Sequence, residues 1–272
     1  MPTLASQPQT IGKVLDDGFK FYLRTLLKVL PLSFLAVVVP VVVIISFVGV
    51  NTYFGLSSGQ LDLATTDITG VFTSLGISAV IAVILAVIFY AAMFYKLAGE
   101  AQDRGIGIGG SLGLGLRAAI PLLITGILYS LAVTLGLILL VIPGVILMVS
   151  LVLYMPAFTM DNAGIIGSLK KSHNLVWGNW WRTLLILSVP MIIMLVILGG
   201  VGLVIGFFIG FGMAQTEGGL LQYQIIMEVA QYAVNTVLAP LFPALMIILY
   251  NDLKLRKEGA DLDAKIAGTP SV

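Results

Sequence analysis

The chain has 272 residues, of which 59% are hydrophobic and only 10% charged, where a soluble domain carries about 25%. Mean hydropathy is +1.08, and fourteen Lys and Arg stand against thirteen Asp and Glu for a net charge of +1. A soluble fold of this size cannot bury that much apolar side chain, which excludes a soluble enzyme, a disordered hub and a nucleic-acid binder built on a large basic excess. The absence of Cys removes disulfides, thiolate nucleophiles and Cys-ligated metals from consideration.

Residues 1–28 are mixed polar and charged, without the pattern of a signal peptide. They read as a cytoplasmic amphipathic segment lying along the membrane, because Lys13, Asp17, Lys20, Arg24 and Lys28 recur at helical spacing as one charged stripe. Residues 29–250 read as a six-span membrane domain. Apolar runs near 29–50, 71–95, 183–211 and 226–250 each have the roughly 20 residues that a span requires. The run from Ala118 to Met160 would be about 65 Å long as one helix, twice the hydrocarbon thickness. Pro143-Gly144 near its middle divides it into two spans, 118–141 and 145–160. The expected fold class is all-α: a polytopic membrane protein with six transmembrane helices in three hairpins, and cytoplasmic interfacial helices. Residues 251–272 form a cytoplasmic tail.

The charges support that count. Lys13, Lys20, Arg24 and Lys28 precede the first span, and Lys96, Arg104 and Arg117 separate the second and third. Lys170, Lys171 and Arg182 separate the fourth and fifth, and Lys254, Arg256, Lys257 and Lys265 follow the sixth. The loops 51–70, 142–144 and 212–224 hold no basic residue. All fourteen thus fall on one side, which the positive-inside rule makes the cytoplasm, with both termini there.

Residues 163–182 read as a second interfacial helix. They contain every Trp of the chain, Trp177, Trp180 and Trp181, and an indole suits the headgroup region by being apolar with one N–H donor. Lys170, Lys171 and Arg182 beside them are candidates for anionic headgroups; plain anchoring and specific lipid or partner binding are both open. Gly105, Gly107 and Gly110 fit G-x-G-x-x-G but join two spans, where no dinucleotide site is expected. Arg24-Thr25-Leu26-Leu27 returns as Arg182-Thr183-Leu184-Leu185, and Lys96-Leu97 as Lys254-Leu255, a faint parallel repeat of an interfacial helix and a hairpin.

Two patterns lie inside the bilayer. Gln224, Glu228, Gln231 and Asn235 share one arc of the sixth span over roughly 16 Å. Such groups avoid lipid, so the arc faces the bundle, either as an outward-facing polar pocket around Glu228 or as interhelical hydrogen bonding. Gly199, Gly202, Gly206 and Gly210 share an arc of the fifth span and suit close helix packing, within the monomer or at a homodimer seam. His173 has no carboxylate at helical spacing and no second metal ligand near it, and Asp261 and Asp263 read as a solvated cluster. No catalytic residue, metal site or cofactor site is expected.

The stretch Val141-Ile142-Pro143-Gly144-Val145, Met155-Pro156-Ala157, Asp161, Ser168-Leu169-Lys170-Lys171-Ser172 and Leu175-Val176-Trp177-Gly178-Asn179-Trp180-Trp181-Arg182 forms one motif. Tyr250-Asn251-Asp252-Leu253-Lys254-Leu255-Arg256-Lys257-Glu258-Gly259 forms another. Both resemble the membrane domain fused to some bacterial glycerophosphodiester phosphodiesterases, and its stand-alone YciC-like relatives. The resemblance implies a multi-pass protein of the bacterial cytoplasmic membrane in a mostly uncharacterised group. In the fused relatives catalysis belongs to a separate soluble barrel, so no catalytic residue carries over. The expected role is non-enzymatic, through membrane lipids, a membrane-protein partner or a homodimer; the alternative is a small-solute or lipid-handling transporter.

Overall fold

The structure is a computed structural model that describes residues 4–58, 67–207 and 219–267. Among these the chain is helical, with no strand. The order is α1 (Ile11–Val48), α2 (Val50–Ser58), α3 (Ile68–Ala101), α4 (Ile108–Leu139), α5 (Val141–Leu151), α6 (Tyr154–Asp161), α7 (Ile165–Val176), α8 (Trp180–Ile205), α9 (Gly219–Leu238) and α10 (Leu241–Ala267). Six helical stretches are long and apolar enough to cross a membrane: α1, α3, α4, α5–α6, α8 and α9–α10. The protein is a multi-pass membrane protein, and its outward faces carry what that demands. On α8, for example, Met191, Ile192, Leu195, Val196 and Leu203 are all exposed.

Two helices reach further than the sequence predicts. The amphipathic segment does not lie apart from the first span: α1 starts at Thr10, whose side chain accepts the N–H of Lys13, and runs unbroken past Lys28 to Gly49. Its inner face explains the continuity. Val14, Gly18, Phe21, Tyr22 and Thr25 are buried and dock along α10. A side-chain carbon at Gly18 would stand 2.8 Å from the Leu245 side chain, so a larger residue there would make that leucine move. The expected interfacial helix over 163–182 is shorter, ending at Val176. Gly178, with φ of +91°, turns the chain, and Trp180, Trp181 and Arg182 already belong to α8.

Two spans are broken helices, and in each case side chains from other helices satisfy the freed backbone. The sixth breaks at Ala239-Pro240, where Pro240 has no N–H for the carbonyl of Thr236. Ser33 of α1 donates its hydroxyl to that carbonyl, and Tyr22 donates to the Val237 carbonyl at 2.9 Å. The fourth breaks between α5 and α6. There Ser172 of α7 accepts the Leu153 N–H at 3.0 Å and donates to the Ser150 carbonyl at 2.8 Å. Without water these groups have no other partner, so the bonds decide where a break is tolerable.

The core centres on α10. Leu241, Ala244, Leu245, Ile247, Leu249 and Leu253 are almost wholly enclosed, by α1, α3, α6, α7 and α8. A helix apolar on every face fits only such a place. Glycine brings the neighbouring pairs together: a carbon at Gly115 of α4 would meet the Ile88 carbonyl of α3 at 2.5 Å, and one at Gly136 would meet Gly144 of α5 at 2.8 Å.

Candidate functional site

Past its apolar centre α10 carries Tyr250-Asn251-Asp252 and then Lys254 and Arg256. Asp252 is 1% exposed. Its Oδ2 accepts from Arg182 Nε at 3.1 Å and Nη2 at 2.9 Å, and from Arg256 Nε at 3.0 Å. Its Oδ1 accepts the backbone N–H of Gln9 at 2.7 Å. Both guanidinium groups also donate to the Gln9 carbonyl, and Asn251 donates to the Ala5 carbonyl at 3.0 Å. The segment before α1 is thereby strapped across α8 and α10. One turn away, Asp161 at the end of α6 accepts from Tyr250 Oη at 2.7 Å and from Lys254 at 3.2 Å, and pairs with Lys171 of α7. Glu100 joins Lys28 at 2.6 Å and Lys96 at 2.8 Å, and Lys96 holds the Ile106 carbonyl of the α3–α4 loop at 2.6 Å.

A carboxylate this buried costs several kcal/mol to desolvate, and it is tolerated because both oxygens find donors. Asp252 has two guanidinium groups on Oδ2 and an amide on Oδ1. The network is structural: it locks α6, α7, α8, α10 and the N-terminal strap into one block.

The tryptophans sit beside this block. Trp180 is half-buried, its Nε1 donating to the Ile146 carbonyl of α5 at 3.3 Å. Trp177 and Trp181 are 60% and 72% exposed, and with the α4–α5 turn they line a groove of about 510 Å³. The charge pattern places the 142–144 turn and the Trp segment on opposite sides of the membrane. Their contact means instead that the middle hairpin approaches the start of α8. Of the three basic residues expected at headgroups, Arg182 and Lys171 are engaged by Asp252 and Asp161, whereas Lys170 is exposed. His173 stacks on Trp177 with ring centroids 5.1 Å apart.

At the other end, Gln224, Glu228, Gln231 and Asn235 are all half-buried on α9, while Ile225, Ile226, Val229 and Val237 are exposed. The arc therefore faces protein. Gln231 Nε2 donates to the Leu198 carbonyl of α8 at 3.3 Å. Glu228 hydrogen-bonds Tyr232, whose hydroxyl is 3.1 Å from that of Tyr53 on α2. Gly202 and Gly206 face Gln231 and Tyr223 of α9 at 3.4 Å, Gly199 faces open space, and Gly210 lies outside the described residues. Between α3, α4 and α6 a mainly apolar cleft of about 740 Å³ contains Tyr90, Tyr129 and Tyr154.

A family model described as a domain of unknown function (DUF7847) matches residues 103–253, more than half of the chain. The chain belongs to the DUF7847 family. No curated protein and no solved structure matches it. The DUF7847 domain contains Asp161, Lys171, Arg182, Tyr250 and Asp252, and with them most of the network. Gln9, Lys28, Lys96, Glu100, Lys254 and Arg256 join it from outside the matched stretch. Sequence reasoning singled out Arg182 and Lys171 as basic residues without finding their acids. Arg182 and Asp252 are 70 residues apart, a separation at which no helical spacing links them. The available signal was their presence together in the two recognisable motifs.

Proposed function

We propose that this DUF7847 protein is a non-enzymatic protein of the bacterial cytoplasmic membrane, with both termini cytoplasmic, that acts through lipid or partner-protein contacts at its basic end. The observation that carries this reading is the pairing pattern there. Asp161 and Asp252 are consumed in holding the block rigid, and the surface left over is two exposed indoles, an apolar turn and Lys170. That surface suits attachment to a bilayer or to another membrane protein. The location follows from the likeness of the two motifs to the glycerophosphodiester phosphodiesterase membrane domain and its YciC-like relatives, and the orientation from the one-sided basic residues.

Because the chain lacks Cys, single-cysteine variants of the full-length protein test the orientation directly. In intact cells a membrane-impermeant maleimide should label Thr69→Cys, and should reach Arg104→Cys and Lys257→Cys only after the cells are opened. Labelling of either of the latter two from outside would overturn the orientation.

A second reading, transport of a small solute or lipid through a pocket around Glu228, draws on the half-buried carboxyl and amides of α9. The bonds of Gln231 to α8 and of Glu228 through Tyr232 to Tyr53 of α2 favour a role in joining helices.

A further inference from the structure

The groove between the α4–α5 turn and the tryptophans differs in chemistry from the stretch of α7 beside it. The groove is hydrocarbon and indole. Residues 137–142 run Leu-Ile-Leu-Leu-Val-Ile, and all six are exposed. A turn meeting water is built from polar residues, so this one is solvated by acyl chains. The Leu140 N–H bonds the Gly136 carbonyl at 3.0 Å, the Gly144 N–H bonds the Leu140 carbonyl at 3.3 Å, and Pro143 has no N–H to leave unpaired.

The stretch of α7 beside it is cationic. Lys170 stands seven residues before Trp177 on the same face of α7, about 10 Å along the helix, with exposed Asn174 between them. The neighbouring cations are each held in an ion pair: Lys171 and Lys254 share Asp161, and Arg182 and Arg256 share Asp252. Among the described residues no carboxylate pairs with Lys170. Lys170 and Asn174 do not line the groove; they continue its Trp177 side along α7, as an exposed lysine without an acid partner and an amide beside it.

We propose that this groove binds an anionic phospholipid, its phosphate at Lys170 and Asn174 and an acyl chain between Trp177, Trp181 and the turn at Val141 and Ile142. This rests on the lipid-contact reading above and gives it a chemistry. A zwitterionic headgroup brings no net charge to Lys170, whereas an anionic one does, and one lysine near an anionic lipid is worth about a fivefold preference.

All three tryptophans of the chain line this groove, so its intrinsic indole fluorescence reports on this site alone. The full-length protein is placed in phosphatidylcholine bilayers containing a small fraction of either brominated phosphatidylglycerol or brominated phosphatidylcholine. Brominated phosphatidylglycerol should quench about fivefold more effectively per lipid. Lys170→Ala should abolish the preference while leaving the quenching, Lys170→Arg should keep it, and Ile142→Asn should weaken quenching by both lipids. Equal quenching by the two lipids, or a preference that survives Lys170→Ala, would overturn the site while leaving the lipid-contact reading intact. Quenching by neither lipid would overturn both.

Discussion

α9 and α10 are halves of one span, parted by Ala239-Pro240, yet their surroundings have little in common. From Leu241 to Leu253 α10 is enclosed by protein on every side and ends in the buried Asp252. By contrast, α9 turns isoleucine and valine to lipid and keeps a line of amides and one carboxyl half-buried behind them. In water an apolar residue marks the inside. In a bilayer it marks either side, and the polar residue becomes the marker, because lipid excludes it more strongly than it attracts Leu. The polar arc thus shows which way α9 faces. On α10 the contacts that matter are between apolar residues, and only packing distinguishes them from a lipid-facing surface.

The largest test of this contrast is Asp252→Ala. It leaves Arg182 and Arg256 facing each other without their acid and frees the N-terminal strap, so the loss should be about 3–5 kcal/mol. Thermal unfolding of the purified protein in detergent reads it. A variant that melts with the wild type would mean that the basic end is not locked. Next comes the apolar centre. Leu245→Ala should cost about 2–5 kcal/mol by leaving a cavity against Gly18, whereas Val229→Ala on α9 should stay within about 0.5 kcal/mol. Similar losses at the two positions would erase the distinction between enclosed and lipid-facing halves.

Legibility followed the same division. Composition and charge alternation give the all-helical membrane class and the number of apolar stretches, because the bilayer enforces both along the chain. The direction of the α9 arc could also be read, since helical spacing displays it. What could not be read depends on contacts distant in sequence. Arg182 meets Asp252 and Lys171 meets Asp161 only after α6, α7, α8 and α10 converge, and basic residues alone suggested headgroups instead. The continuity of α1 was hidden because its charged stripe suggested an interfacial helix, while the packing of Gly18 against Leu245 leaves no mark in hydropathy. Pro143-Gly144 announced a break over 142–144, but the break falls at Leu140 and both residues belong to the first turn of α5; the contact of α5 with Trp180 left no mark in the sequence.

The smallest expected effect separates the two readings of Glu228. Its carboxyl bonds Tyr232, which meets Tyr53 of α2, so the group links α9 to the helix following the first span. If that link is the whole of its role, Glu228→Gln preserves an acceptor for the tyrosine and should leave the melting temperature unchanged. Glu228→Leu removes the acceptor that orients Tyr232 toward Tyr53, and the interhelical bond it supports is worth about 0.6 kcal/mol in a membrane, so a downward shift of at most that size should follow. A transport role makes the opposite demand, because a site that uses the charge is disabled by Gln as thoroughly as by Leu while the fold stays intact. The double change Glu228→Leu with Tyr53→Phe decides between them. For a link between helices the two losses should be less than additive, since either one alone already breaks the same chain of hydroxyls. Fully additive losses would show that Glu228 and Tyr53 are uncoupled, and would leave the carboxyl to face a wet pocket.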